Sequence, residues 1–374
     1  MSRLFLELIQ PYPAKSPPFF DGHSLAEITA LASGHNLTML VYSRLKKIRR
    51  EHGSNVHIDK FLKENMELRL SSTAVSLRQQ AIQDEILLLL ANNSIPSAVI
   101  KGNTLAVDVY DDPNCRSSGD IDILIRMEDA HKTDKILLEA GYQPDNDLPF
   151  NYCFYHIHHT GYLHPKYNDH IEIHWHFGLQ HFHRISSEQI WQEIGKNSSG
   201  IYKLSPEMMF IQLLMHHHHH AFRELRILTD ILWAFYRFRE ILDPVRLFAM
   251  LQDMGLLRTA FVCIEQIKDL WPDAAEEIGH IRKLSRKMDN SGIRASGFAV
   301  SYFRMELHNT HYNSLKDRFM TRLVHDGMTG MAHSILRAVI PHPKAIKGLY
   351  EDQRVWMLPV NYLRFMKWRV KNPD

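Results

Sequence analysis

Residues 116–126, RSSGDIDILIR, decide the fold assignment, because polar and apolar side chains alternate strictly along them. In a β-strand, side chains two positions apart point to the same face. Asp120 and Asp122 therefore share one face, and the isoleucines of the same run share the other. The apolar face suits a protein core, so the stretch predicts a strand with two carboxylates on its second face.

Two carboxylates this close repel each other, and burial adds to the cost. A divalent cation relieves both effects. Mg²⁺ in particular favours one or two protein carboxylates together with substrate phosphates and water. The alternative is a strand whose polar face meets solvent, since Asp-x-Asp also occurs often by chance.

The segments around this strand predict an α+β region at residues 96–182. Short strands and helices alternate here, and turn-forming residues separate them. The expected elements are a strand at SAVIKG, a helix at NTLAVDVY, a loop at DDPNCRSSG, an amphipathic helix at MEDAHKTDKILLEAGY, and two strand-like segments, YCFYHIHH and HIEIHWHF.

Residues 1–95 and 183–374 predict helical regions on either side. Ser24 is the expected N-cap of an early helix. Ser205 and Pro206 predict another helix start, by a serine cap with proline in the first turn. Breaks are expected at LDP, DMG, WPD, GMTGM and IPHPKAIKG.

The composition is that of a globular protein, with 45% apolar and 23% charged residues among 374. The net charge of +2 excludes attachment to nucleic acid by global charge alone.

Three cysteines without a CxxC motif predict reduced thiols in a cytoplasmic protein. The longest aliphatic run, ILLLLA, is far shorter than the ~20 residues that a transmembrane helix needs, and the first residues do not form a signal peptide.

Candidate phosphate-binding residues precede the aspartates. Lys101 and Gly102 lie between a strand and a helix start, where backbone N–H groups and a lysine could meet a phosphate. Arg116, Ser117 and Ser118 are further candidates. Each residue alone is a weak signal, because a glycine at such a junction is more often ordinary turn chemistry.

The segment HIEIHWHF supplies a third carboxylate. Glu172 lies on the same predicted strand face as His170, His174 and His176. If this strand lies near DIDILIR in the sheet, three carboxylates from two strands could hold two metal ions for nucleotidyl transfer.

The 25 histidines also raise the question of zinc. His170, Glu172 and His174 could ligate it, but we favour a polar strand face, in which His174 could orient Glu172 or contact a phosphate. His216 and His220 are spaced i, i+4 and could clamp an ion. We favour a structural or substrate-cleft role for this pair, and the absence of an H-E-x-x-H motif disfavours a metalloprotease.

The C-terminal end is basic, with 11 Lys/Arg against 5 Asp/Glu in residues 315–374. A basic helix with aromatic residues could lie on an acidic membrane surface or bind nucleic acid. We favour a terminal helix that packs its aromatic residues on the protein and exposes its basic face.

Residues 99–142 resemble the uncharacterised nucleotidyltransferase family of the DNA polymerase β-like superfamily. The shared pattern is Lys-Gly, a tyrosine, an arginine, then Gly/Ser-Asp-Ile-Asp and a helix that ends in Gly-Tyr. HIEIHWHF resembles that family's Glu-hydrophobic-His-Trp segment. A looser resemblance covers the downstream residues His216, His220, Arg226 and Asp230.

The resemblance implies a nucleotidyltransferase-like core with a small mixed sheet and Mg²⁺ (or Mn²⁺) as cofactor. It makes Asp120 and Asp122 metal ligands and Glu172 the third carboxylate. The wider superfamily has a Gly-Ser pair at the start of the first core helix, whereas this chain has Lys101–Gly102 followed by Asn103. Lys101, Asn103 or Ser118 would then have to hold the triphosphate.

The expected function is Mg²⁺-dependent transfer of a nucleoside monophosphate from a nucleoside triphosphate to an acceptor hydroxyl. A small molecule or a protein is the favoured acceptor over a long nucleic acid, and the sequence does not specify the oligomeric state. One alternative is an inactive nucleotide- or metal-binding module with a protein partner; another is a metallohydrolase that uses the His/Glu set. The residues expected to support the site or meet the acceptor are His174, His216, His220 and Asp230.

Overall fold

The computed structural model combines many helices with one small sheet, as the α+β prediction requires. The structure describes residues 2–12, 20–110, 112–178, 184–196, 202–290, 340–351 and 354–371, together with positions 302, 320–322, 324, 326, 331–332 and 336.

The sheet has seven strands in the order β3-β4-β5-β2-β1-β7-β6. Its central pair, β2 and β5, is parallel, as is β1 with β7, and the other neighbouring pairs are antiparallel. The strands are β1 Ser97–Val99, β2 Asp120–Ile125, β3 Gln143–Pro144, β4 His159–Leu163, β5 His170–His174, β6 Ile194–Lys196 and β7 Tyr202–Leu204.

Helices precede, cover and follow this sheet. Within the described ranges they are α1 Arg3–Ile9, α2 Gly22–Gly34, α3 Thr38–His52, α4 Val56–Glu64, α5 Met66–Asn92, α6 Gly102–Val109, α7 Ala130–Glu139, α8 Phe150–His156, α9 Ser187–Gln192, α10 Pro206–His219, α11 Leu225–Arg237, α12 Pro244–Asp253, α13 Leu257–Leu270, α14 Pro272–Glu277, α15 Gly279–Asn290, α16 Pro343–Leu349 and α17 Leu358–Lys371. None of these helices is long and apolar enough to cross a membrane.

The isoleucine face of β2 forms one core. Ile121, Ile123 and Ile125 are buried together with Ile171 and Ile173 of β5, against apolar residues of α5, α7 and α8. Burying such a side chain stabilises the fold by about 1.5–3 kcal/mol. The same alternation turns the carboxylate face of the sheet the other way.

A larger core joins the other helices. It extends from α1–α4 through α6 to α10–α15 and includes Leu124 from the carboxylate side of β2. Helix α10 belongs to this core, which brings its histidine-rich C-terminal half near the sheet. Ser205 caps α10 through the N–H of Met208, with Pro206 in the first turn, as predicted.

The start of α2 differs from the prediction. Asp21, not Ser24, is the N-cap, and Ser24 occupies the third helical position of a reciprocal capping box. The side chain of each residue accepts a hydrogen bond from the backbone N–H of the other. The sequence alone therefore does not show which of the two short polar residues is the N-cap.

The predicted strand YCFYHIHH is wrong over most of its length. Residues Phe150–His156 form helix α8 after Pro149, and the strand is His159–Leu163, in a stretch expected to be a connection. Phe150 and Phe154 are spaced i, i+4, so they share a helix face and pack on Trp175. The many other aromatic residues in this run made the helical spacing hard to recognise.

Two strands come from the region for which the sequence predicts helices. Ile194–Lys196 and Tyr202–Leu204 pair with each other, and Tyr202 also pairs with Ala98 of β1. Three residues are too few to show a two-residue periodicity. The predicted break at GMTGM lies outside the described residues except for Met331.

The C-terminal part packs on α8 through α16. Gly348 has no space for a side chain, since a Cβ there would lie 2.7 Å from the backbone carbon of Asn151. Helix α17 buries Phe365 and exposes Leu363, so its apolar residues are only partly covered.

We expect Gly348→Ala to destabilise the protein by about 1–3 kcal/mol, because the added methyl forces α16 and α8 apart. Gly34→Ala is the matched control, since no described atom lies within 4 Å of the position its Cβ would take. Urea unfolding followed by circular dichroism measures both, and equal effects would contradict this packing.

Candidate functional site

Asp122 is the centre of the site and is almost completely buried, with 1% of its surface exposed. Its Oδ1 atom accepts hydrogen bonds from Lys101 Nζ at 2.6 Å and from His174 Nε2 at 3.0 Å. Its second oxygen, Oδ2, is buried and has no hydrogen-bond partner among the described residues. One carboxylate oxygen is therefore satisfied by the protein, and the other is left without a hydrogen-bond partner among the described residues.

Glu172 lies beside Asp122, because these two residues are partners in the parallel β2–β5 register. His174 Nε2 also lies 3.0 Å from Glu172 Oε2, so one imidazole bridges both carboxylates. His159 Nε2 is 3.7 Å from the other oxygen, Glu172 Oε1. The predicted third carboxylate is thus adjacent to the aspartate pair.

Asp120 lies two residues before Asp122 on the same strand face. Ser118 Oγ lies 3.0 Å from its main-chain oxygen and 3.1 Å from its Oδ1. No lysine, arginine or histidine of the described chain forms a salt bridge with it. Asp120 is therefore the least compensated of the three carboxylates.

The pKa values follow this asymmetry. Burial and then repulsion from Asp122 raise the pKa of Asp120. Burial acts to raise the pKa of Asp122 as well, but Lys101 and His174 outweigh it and hold that pKa below its usual range. Hydrogen bonding to His174 likewise overcomes burial and lowers the pKa of Glu172.

The two cations show the reciprocal effect. Burial acts to lower the pKa of Lys101, yet attraction to Asp122 and Glu172 raises it above the usual value. Hydrogen bonds to the same two carboxylates raise the pKa of His174 against the effect of burial. The site therefore contains three carboxylates beside two groups that favour positive charge.

A cavity of about 320 Å³ opens on this face between the sheet and α10. The sheet side contributes carboxylates, a lysine and imidazoles, and α10 contributes a glutamine and imidazoles. The lining residues are Ile100, Lys101, Asp120, His158, His159, Glu172, His174, Phe177, Gln212, His216, His219 and His220.

The start of α6 forms the adjoining edge of the site. Gly102 has a φ of +65°, a conformation that glycine adopts without strain, and a Cβ there would lie 3.6 Å from Ser118 Oγ. Lys101 is the N-cap but makes no side-chain cap, because an ammonium group cannot accept a backbone N–H; its amine is paired with Asp122 instead. Asn103 instead donates to Ser76 O at 2.8 Å, so its amide group is turned toward α5.

Arg116, expected to reach a phosphate, is buried with its Nε on a carboxylate and its Nη1 without a partner among the described residues. Its Nε lies 3.0 Å from both carboxylate oxygens of Asp230, and the Tyr110 hydroxyl donates to the same carboxylate at 2.6 Å. Arg116 and Asp230 are both buried, so the pair ties the loop before β2 to α11. Ser117 joins the same connection, as its carbonyl accepts from Arg226 at 3.3 Å.

The histidine run of α10 divides between two surroundings. His216 and His220 line the cavity, with ring centres 4.6 Å apart, and His220 Nδ1 is 2.6 Å from Glu224. Burial and then the charge of Lys101 lower the pKa of His216 well below its usual value. His217 faces the helical core and contacts Gln266 at 2.9 Å.

Two groups of side chains in the described chain could hold a metal ion. One group is Asp122, Glu172 and His174, and the other is His158, His159 and His174. In each group the possible ligand atoms lie within 4.8 Å of one another. His170, a member of the zinc set considered as an alternative, belongs to neither group and contacts Asp145 at 2.8 Å.

His158 and His159 are the residues that the sequence analysis missed. They fall in the segment wrongly predicted as one strand, where the true strand begins only at His159. The density of histidines in HIHH was the available signal. The antiparallel pairing of His159 with His174 then brings the two segments together.

A small mixed sheet flanked by helices, as seen here, is consistent with a nucleotidyltransferase-like α+β fold. A family described as uncharacterised nucleotidyltransferases matches residues 22–272, which is 251 of the 374 residues. The chain therefore belongs to this family, as its motifs indicated. No curated protein and no solved structure matches the chain.

We expect Asp230→Ala to destabilise the fold by about 3–5 kcal/mol, because it leaves the buried Arg116 charge unpaired. Asp253→Ala, on the exposed face of α12, is the control and should change stability by less than about 0.5 kcal/mol. Urea denaturation gives both values.

The triple variant Tyr110→Phe/Arg116→Met/Asp230→Leu separates pairing from packing, because Tyr110→Phe also removes the buried hydroxyl that donates to Asp230. Since apolar residues of similar volume can replace a buried ion pair, it should recover most of the lost stability. If it is no more stable than Asp230→Ala, the account of this pair is wrong.

Proposed function

We propose that this protein is a Mg²⁺-dependent nucleotidyltransferase that moves a nucleoside monophosphate from a nucleoside triphosphate to an acceptor hydroxyl. The observation that carries the proposal is the placement of Asp120, Asp122 and Glu172 on one face of two adjacent strands, where Asp120 and Glu172 line a cavity and Asp122 lies buried beside them. Family membership supports the transferase class.

The side chains fit a divalent cation. Asp122 Oδ2 is a buried carboxylate oxygen with no partner within the described residues, and Asp120 forms no salt bridge there, although the charge of Lys101 acts on it. Oxygen donors of this kind are those that Mg²⁺ or Mn²⁺ prefers. When bound, the ion would neutralise triphosphate charge and lower the pKa of the acceptor hydroxyl.

The protein groups then have distinct roles in the proposal. Asp120 and Asp122 hold the ion, and Glu172 completes the site and assists deprotonation of the acceptor hydroxyl. His174 fixes the orientation of Asp122 and Glu172 through its two 3.0 Å contacts. Lys101 lines the same cavity and adds positive charge for the phosphates.

The phosphates would lie at the N-terminus of α6. Gly102 lets the backbone approach closely there, and Ser118 offers a hydroxyl next to it. Arg116 is a weaker candidate than the sequence suggested, because Asp230 engages its Nε. Asn103 and Ser117 are also weaker, since their contacts are with other parts of the chain.

The cavity favours a small acceptor or a single protein side chain. Its volume of about 320 Å³ is at the small end of ligand pockets. His216 and His220 form its far wall, and burial favours the neutral form of His216. A neutral His216 can donate a hydrogen bond to a hydroxyl compound, or accept one from it, without adding charge.

A second candidate is a binding module without turnover. The favouring observation is that Lys101 and His174 compensate Asp122 and Glu172 without a metal ion. Because the protein itself balances the charge of these two carboxylates, the fold would stay stable in a protein that binds its ligand without catalysing a reaction. Incorporation of label from an α-phosphate-labelled nucleotide into a product would exclude this candidate.

We expect Asp122→Asn to abolish nucleotidyl transfer and to weaken metal-dependent nucleotide binding, because it removes charge at the ion's ligand while keeping the shape. Calorimetric titration of Mg²⁺-ATP and Mg²⁺-GTP into metal-stripped protein measures the binding. Asp84→Asn, on the exposed face of α5, is the control. Full activity in folded Asp122→Asn protein would end the proposal.

We expect Lys101→Met to lower stability by about 3–5 kcal/mol without metal, because the buried Asp122 carboxylate loses a partner. Mg²⁺ should then raise the melting temperature of this variant more than that of the wild type, since the ion replaces the missing positive charge. Lys203→Met, which breaks the partly exposed pair with Asp108, is the control and should show no added Mg²⁺ response.

A further inference from the structure

Three imidazoles meet at one corner of the cavity. The ring centres of His158 and His159 are 4.5 Å apart, those of His159 and His174 are 4.9 Å apart, and those of His158 and His174 are 5.6 Å apart. Three imidazoles that share one tetrahedral ion at ~2.1 Å place their ring centres about 5 Å apart. The observed spacings bracket that value.

Two nitrogens at this corner lack partners. His158 Nδ1 and His159 Nδ1 are both buried, and neither has a hydrogen bond to any described residue. His158 itself is buried, at 6% exposure, and lines the cavity. A buried imidazole nitrogen without a partner costs free energy unless a ligand satisfies it, and His158 Nδ1 is such a nitrogen. His159 has its Nε2, not its Nδ1, on the side of the carboxylate, so it would bind an ion shared with Glu172 through Nε2.

A carboxylate completes the group. Glu172 Oε1 is 3.7 Å from His159 Nε2, and Glu172 Oε2 is 3.0 Å from His174 Nε2. Three imidazoles and one carboxylate form a donor set that suits Zn²⁺ or Co²⁺, whereas Mg²⁺ and Mn²⁺ prefer oxygen donors. The chemistry of this corner thus differs from that of the aspartate corner.

We propose that His158, His159, His174 and Glu172 bind one transition-metal ion of the Zn²⁺ class, beside the oxygen-donor site at Asp120 and Asp122. Glu172 and His174 belong to both corners, so occupation of one site alters the other. The proposal does not require nucleotidyl transfer, because His158 and His159, which distinguish this corner, have no role in the transfer chemistry.

The histidine run of α10 is the competing explanation for any bound transition metal. His217 contacts Gln266, and His218 contacts the carbonyl of Thr321, so both point away from the cavity. His220 is engaged by Glu224. The run therefore offers fewer nitrogens to an ion than its sequence suggests.

Cobalt titration of the metal-stripped full chain tests the proposal without nucleotide. We expect one equivalent of Co²⁺ to give the strong visible absorption of a four-coordinate site with imidazole ligands, and one equivalent of Zn²⁺ to remove it. His158→Ala and His159→Gln should each weaken Co²⁺ binding by at least about 100-fold, since loss of a ligand exceeds the 10–100-fold effect of losing a supporting residue. His159, the more exposed of the two, provides the variant that should fold even if His158→Ala does not.

Two control variants locate the ion. His170→Ala removes the neighbouring imidazole that is paired with Asp145, and His216→Ala/His220→Ala removes two of the three imidazoles that line the cavity from the α10 side, leaving His219. Both should leave the Co²⁺ spectrum and affinity within about twofold of wild type. An unchanged spectrum in folded His159→Gln protein, a spectrum lost only in the α10 variant, or weak six-coordinate binding by the wild type would each overturn the proposal.

The two proposals fail separately in this design. Calorimetry with Mg²⁺-ATP reports on the aspartate corner, and the cobalt spectrum reports on the imidazole corner. A normal cobalt site without nucleotide binding would remove the transferase and leave the metal proposal intact. Nucleotide binding without a cobalt site would do the reverse.

Discussion

The buried carboxylate of Asp122 is the constraint on which the structure of the site depends. A lone carboxylate in the core would be strongly destabilising, so its surroundings must supply positive charge and hydrogen bonds. Lys101 arrives from the end of β1 and His174 from β5, and both reach the same oxygen. The strand order β5-β2-β1 provides both partners at once. The second oxygen has no hydrogen-bond partner in the described chain. In a purely structural ion pair we would expect both carboxylate oxygens to have partners.

The rest of the fold holds this arrangement in register. Isoleucines on the opposite face of β2 and β5 fix the pairing, because a slip by one residue would bury the carboxylates in the apolar core. On the cavity side, α10 closes the site, and the buried pair of Arg116 with Asp230 ties the loop before β2 to α11. Helices before and after the sheet in sequence thus share one core around a site built on two strands.

Much of this arrangement could be predicted from the sequence, and the reasons are local. Strict alternation in DIDILIR defined the β2 faces, and the same pattern in HIEIH placed Glu172 on a polar face. The environment of Arg116 could not be predicted, because its partner Asp230 is 114 residues away and only tertiary packing brings them together. His158 and His159 were missed because aromatic residues at helical spacing in α8 also suit a strand. The short strands β6 and β7 carried no periodic signal at all.

The central claim is that the carboxylate face of β2 and β5 holds a divalent ion with a nucleoside triphosphate. Crystals grown with Mn²⁺ and a triphosphate whose α,β-bridge resists cleavage would test it directly through the anomalous signal of manganese. The account predicts a Mn²⁺ peak in contact with Asp120 and Asp122, and triphosphate density that extends toward the start of α6 at Gly102. Manganese found only at the histidines of α10, with nucleotide absent from this face, would contradict it.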